Sequence, residues 1–140
     1  MCCVLGEGRP EGAALKGKQL AIRVLIVDDS NAVRDGLRSI LARQPGISIG
    51  GEAVNGIDAI GKAERLRPDV VLMDVQMPEM DGIEAMAHIK GVLPDTRVLL
   101  LTVRTGLMDE AAAAGADAYL TKDTGRDELI RTIQELAERE

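Results

Sequence analysis

Ile22-Arg23-Val24-Leu25-Ile26-Val27-Asp28-Asp29 is an apolar run closed by two carboxylates, and Asp69-Val70-Val71-Leu72-Met73-Asp74 repeats the pattern with one. Runs so apolar read as central strands of a parallel sheet covered on both faces. Ligands of such sheets bind where the carboxyl ends of the strands open, and that is where these acids fall. Neighbouring strands lie about 4.8 Å apart. If the two runs pair, Asp28, Asp29 and Asp74 crowd one small mouth and repel one another unless a cation joins them. The pattern predicts a metal-assisted acidic site.

Working outward from these two runs, the chain alternates strand and helix. After Val27, Ser30 can cap a helix whose apolar face is Val33, Leu37, Ile40 and Leu41, ended by Pro45-Gly46. Ile47 to Val54 reads as a weaker strand with Gly50-Gly51 inside it, suited to an edge, and a helix from about Gly56 to Leu66 stops before Pro68. Beyond Val70–Met73, the positions Ile83, Met86, Ala87 and Ile89 mark the apolar face of a third helix. Arg97–Leu101 is a fourth strand ending at Thr102, Asp109–Ala114 a short alanine-rich helix, and Ala118–Thr121 a fifth strand followed by Lys122. Leu129, Ile130, Ile133 and Leu136 mark the last helix. Such alternation implies an α/β fold: a doubly wound, five-stranded parallel sheet of flavodoxin-like form with flanking helices. The order 2-1-3-4-5 would join the first and third strands at the switch point, although spacing alone leaves that order open.

Composition narrows the function classes. The 140 residues suit one domain, taken as 22–140, and the glycine-rich stretch 1–21 reads as a flexible leader. With 23 acidic against 17 basic residues the net charge is −6, which argues against direct nucleic-acid binding by this chain. No stretch approaches the roughly 20 apolar residues of a membrane span. Cysteine occurs only as Cys2-Cys3, which fits a reduced cytoplasm better than a disulfide framework. The chain holds no Trp or Phe and a single Tyr, Tyr119, so its core must be aliphatic.

The predicted strand ends carry an acid pair, a lone acid, a hydroxyl and an ammonium. A carboxylate so placed can attack phosphorus and form an aspartyl phosphate. The anionic phosphoryl group then needs Mg²⁺ between the carboxylates and its oxygens, and a protein cation to neutralise the rest. Taken singly, each of these residues is more simply a helix cap or a solvated loop residue; it is the combination that points to a site. His88 reads as a solvated side chain beside Lys90, and Met77 and Met80 as packing residues.

Val24-Leu25-Ile26-Val27-Asp28-Asp29, Met73-Asp74-Val75-Gln76-Met77-Pro78-Glu79-Met80-Asp81-Gly82, Leu101-Thr102 and Ala116-Asp117-Ala118-Tyr119-Leu120-Thr121-Lys122 together resemble a two-component response-regulator receiver domain. Gly51-Glu52-Ala53-Val54-Asn55-Gly56 and Lys122-Asp123 are similar to receivers of the NarL/FixJ type. The resemblance implies Asp74 as phosphoacceptor, Lys122 as its charge partner, and Thr102 and Tyr119 as switch residues. It also implies Mg²⁺ held by Asp29, Asp74 and the backbone carbonyl of Gln76, with Asp28 acting mostly through water. The implied partners are a sensor histidine kinase or phosphotransfer protein, an output domain or effector, and a second copy of the chain on phosphorylation. The Thr102–Gly115 span is shorter than the family usually shows, and Val103 after the switch hydroxyl is expected to crowd the path of a water attacking the acyl phosphate, with Arg104 and Gln76 flanking that path. Two rival functions are a Mg²⁺-dependent aspartyl-phosphate phosphatase and a degenerate receiver that only binds partners. The first would need a second acid two residues past the nucleophile, where this chain has Gln76.

Overall fold

A computed structural model describes residues 21–77, 80–102 and 115–138. Residues 1–20 of the leader, the Asp109–Ala114 helix, and Val103 with its expected shielding role all lie outside the described residues. The elements are β1 (Ile22–Val27), α1 (Asn31–Ala42), β2 (Ile47–Ala53), α2 (Gly56–Leu66), β3 (Val70–Asp74), α3 (Gly82–Val92), β4 (Arg97–Thr102), β5 (Ala118–Thr121) and α4 (Arg126–Glu138). All strand pairs are parallel and the sheet runs β2-β1-β3-β4-β5. The fold class and strand order are those expected, with β2 on the edge. Its register with β1 slips between Val24 and Leu25, because Gly50 adds a residue opposite them. A bulge at a glycine pair is the physical reason β2 reads weakly as a strand.

The starts of α1, α2 and α3 are capped locally. The Ser30 side chain accepts from Val33 N, Asn55 from Asp58 N and Asp81 from Glu84 N, each meeting a backbone donor that the helix itself leaves unpaired. Asp58 returns the favour by accepting from Val54 N at 3.0 Å, closing a reciprocal cap. No glycine ends α2; Arg67 takes the left-handed conformation there, φ 50°.

Alternation along the strands divides the core in two. Leu25, Val27, Val71, Met73, Val98 and Leu100 pack with Ala59 and Ala63 of α2 and Ala85, Met86 and Ile89 of α3. Val24, Ile26, Val70, Leu72, Leu99 and Leu101 face Leu41 of α1 and Leu129, Ile130, Ile133 and Leu136 of α4. One expectation fails: Ala87 is exposed, and Ala85 takes the buried position. The face of α3 runs through Gly82, Ala85, Met86 and Ile89, spacings of three and four that leave position 87 on the solvent side.

Candidate phosphoacceptor site

Register sets the site. Val27 pairs with Met73, so Asp28 and Asp74 emerge side by side from adjacent inner strands; Thr102 closes β4, paired with Thr121, and Lys122 comes next. The backbone N–H of Lys122 donates to Thr102 O at 2.8 Å, fixing where its side chain begins. Carboxylate oxygens of Asp28, Asp29 and Asp74 all lie within 4.8 Å of one another. Asp28 and Asp74 are 2% and 5% exposed, whereas Asp29 is open to solvent. Every predicted acid is thus in one place.

The Lys122 ammonium sits between two of them, 2.8 Å from Asp28 Oδ2 and 3.2 Å from Asp74 Oδ2. Its pKa is raised: burial works against the charge, but the hydrogen bond to Asp28 and the charges of Asp74 and Asp28 outweigh that. Asp74 is also shifted upward, first by burial and then by the charge of Asp28, with Lys122 and the Gln76 N–H only partly offsetting both. The two shifts agree once the distances are compared, because the shorter bond serves Asp28. Asp74 keeps a charge that the fold does not fully compensate.

Asp28 is committed on every side. Its Oδ1 accepts from Ser30 N at 2.9 Å and its backbone N–H donates to Ala53 O at 3.1 Å. Its carbonyl accepts from Arg34 Nη1 at 2.6 Å. Asp29 shows no such ties among the described residues. Gln76 faces Asp74 with its N–H, which donates to Oδ1 at 3.2 Å. Thr102 is fully buried. The Tyr119 ring packs against the core shared with α2 and α3, and β5 pairs it with Leu100, so Tyr119 and Thr102 lie on one face of the sheet. His88 is exposed, and Met77 and Met80 are partly buried against the core, as read from the sequence.

Two positioning features escape a reading by residue type. A Cβ on Gly82 would lie 2.2 Å from Asp74 O, and Gly82 N donates to Val75 O at 2.7 Å, so α3 can abut the loop after β3 only because this residue is glycine. Arg34 is the other. It shares the buried face of α1 with Leu37 and Leu41, and a cation on an apolar stripe was its signal.

The donor set fits a hard divalent cation such as Mg²⁺: clustered carboxylate oxygens, with one acid left without protein ties among the described residues. The family described as the response regulator receiver domain matches residues 24–134. The chain belongs to this family. As a receiver it is a phosphoacceptor module of phosphorelay signalling and not an enzyme acting on a separate substrate. Among curated relatives, the receiver is 43% identical over 115 residues to the uncharacterized transcriptional regulatory protein YhcZ of Bacillus subtilis, covering 81% of this chain and 54% of that protein. It therefore spans about half that relative's length. Among solved structures, the receiver domain of the putative response regulator NarL from Mycobacterium tuberculosis is 31% identical with a TM-score of 0.82, covering 87% of this chain and all of that one. A chain of the CheX-CheY-BeF3-Mg+2 complex from Borrelia burgdorferi is 26% identical with a TM-score of 0.78, covering 86% and 92%. Among the described residues, no helix is long and apolar enough to cross a membrane.

Proposed function

We propose that Asp74 receives a phosphoryl group from a histidine kinase or phosphotransfer protein, with Mg²⁺ held by Asp29, Asp74 and the Gln76 carbonyl, and Asp28 acting through water. The observation that carries this reading is the under-compensated Asp74 carboxylate, buried between an acid pair and Lys122 at the mouth of the sheet. An Asp74 oxygen forms the new bond to phosphorus as the donor's phosphorus–nitrogen bond breaks, and the departing imidazole takes up a proton from solvent. Mg²⁺, when bound by these residues, would supply positive charge that offsets the carboxylates and the incoming phosphoryl group. Lys122 loses part of its bond to Asp74 and turns its ammonium to the phosphoryl group. The Thr102 hydroxyl then follows the new anion, and Tyr119, on the same face, fills the space that it leaves.

The BeF3 and Mg²⁺ of the similar CheY complex support the chemistry, and the similarity to a NarL receiver supports a receiver of the NarL/FixJ type acting in the cytoplasm. This chain spans about half of YhcZ, a protein named as a transcriptional regulator, and the phosphorylated receiver would act on an output domain or effector and pair with a second copy of itself. Intact-protein mass spectrometry after incubation with acetyl phosphate tests the reading. Wild type should gain one phosphoryl group only with Mg²⁺ present, and Asp74→Asn should gain none. Equal labelling of both proteins would refute Asp74 as the acceptor.

A further inference from the structure

We propose that Arg34 is a positioning residue for the acid pair, its guanidinium fork holding the Asp28–Asp29 peptide so that both carboxylates face one cation. This rests on the reading of the acids as a divalent-cation site. The carbonyl that accepts from Arg34 Nη1 at 2.6 Å belongs to the peptide joining Asp28 to Asp29, so that bond sets the direction in which the chain delivers the second acid. The same side chain donates through Nε to Glu52 Oε1 at 3.2 Å and through Nη2 to Asn31 Oδ1. Arg34 is thereby fixed to β2 on one side and to the start of α1 on the other, and its residue exposure is only 9%. A buried fork with three fixed acceptors is a stiff support. Asp29, by contrast, is exposed and untied among the described residues, so its direction depends on the backbone beneath it.

Charge alone predicts the opposite of positioning. A cation near three carboxylates lowers their attraction for a metal ion, so its removal should tighten binding. Glu52 offsets part of that charge but is shared with Arg38 Nη1 at 2.5 Å, so charge and geometry pull in opposite directions. The sign of the change in Mg²⁺ affinity therefore separates the two roles. Lysine keeps the charge but is a point donor and cannot hold Asp28 O and Glu52 together in the same planar arrangement.

Calorimetric titration of the full chain with Mg²⁺ alone tests this, on wild type, Arg34→Met, Arg34→Lys and Asp29→Ala, alongside thermal melts. Arg34→Met should weaken Mg²⁺ binding about tenfold, the lower end of what loss of a supporting residue costs a metal site. Arg34→Lys should also bind several-fold more weakly, and it carries the test if the methionine variant does not fold. Wild-type or tighter Mg²⁺ affinity in the folded variants, with only a lower melting temperature, would overturn the proposal and leave Arg34 a structural residue. If wild type binds no Mg²⁺, or Asp29→Ala binds it as tightly as wild type, the metal-site reading fails and the proposal with it.

Discussion

At the amino end of the sheet, Asp117 meets two cations and a backbone donor; at the carboxyl end, Asp28 and Asp74 share the ammonium of Lys122, and Asp29 beside them has no tie among the described residues. Asp117 Oδ2 accepts from Lys90 Nζ at 3.0 Å and Val98 N at 2.8 Å, while Arg97 Nη1 lies 3.8 Å from Oδ1. Lys90 also donates to Thr96 O at 2.9 Å. These bonds tie α3 to the starts of β4 and β5, so the charges there serve the fold. At the other end the same kinds of group are left in excess, and the excess is what a metal ion and a phosphoryl group can use. Charge balance, not charge content, separates a fastening from a site.

Breaking the fastening should have the largest effect on stability. Asp117→Ala removes the acceptor that Lys90 and Val98 N share, leaving a half-buried ammonium and an unpaired N–H. We expect a loss of about 2 kcal/mol, below the full cost of breaking a deeply buried pair because Lys90 and Arg97 keep some contact with water. Denaturant unfolding measures this, and labelling of the folded protein by acetyl phosphate should proceed as in wild type. A stability within a few tenths of a kcal/mol of wild type would show that the amino-end cluster is not a fastening.

Lys122→Met should come next, at roughly 1 to 2 kcal/mol, since two nearly buried carboxylates lose their shared partner. Its pH dependence identifies the cause. The Lys122 pKa is raised in the fold, so the stability it gives is fully present below the ordinary lysine value of about 10.5 and is lost as pH rises through the higher folded value. Melts of wild type and Lys122→Met should therefore converge in strong alkali. A gap that persists there would assign the loss to packing of the lysine stem.

Asp74→Asn should act in the opposite direction and stabilise the metal-free protein by about 1 kcal/mol at neutral pH, an ordinary size for a single substitution but of unusual sign. A raised carboxyl pKa means that the fold binds this proton more tightly than the unfolded chain does. That contribution is present below the ordinary carboxylate value of about 4 and is lost as pH rises through the folded value. The advantage of the asparagine variant should accordingly shrink on acidification. An advantage independent of pH would mean that Asp74 is not the strained charge.

How much of this was legible follows from what each feature depends on. β1 and β3 are covered on both faces, so their burial is written as unbroken apolar runs, and acids at their ends stand out by type alone. Strand order was expected because it joins those acids, yet the pairing of Val27 with Met73 is a tertiary fact that spacing does not contain. β2 was blurred by its bulge, and the Ala87 error came from choosing between two alanines two positions apart on one helix. Gly82 and Arg34 were hidden for a different reason. A glycine needed for close approach looks like any turn glycine until its neighbour is known, and an arginine on a buried face looks like an interruption until Asp28 O is found above it.

The smallest predicted effect bears most directly on the comparison, because it touches the one acid of the three-carboxylate cluster that has no tie among the described residues. Asp29 is exposed, has no tie to a partner among the described residues and lies with its carboxylate among those of Asp28 and Asp74. Its repulsion is screened by water and by salt, so Asp29→Ala should raise metal-free stability by only about 0.5 kcal/mol, the scale of an exposed charge interaction. The same substitution should cost the protein most of the rise in melting temperature that millimolar Mg²⁺ gives wild type, since a ligand stabilises only in proportion to its affinity for the folded state. Opposite signs with and without metal are the signature of a residue kept for a ligand. Helix-cap or loop roles predict one sign in both conditions, because the lost contact is the same whether or not Mg²⁺ is added. A lower melt for Asp29→Ala in metal-free buffer would therefore place Asp29 with the fastenings and erase the distinction between the two ends of the sheet.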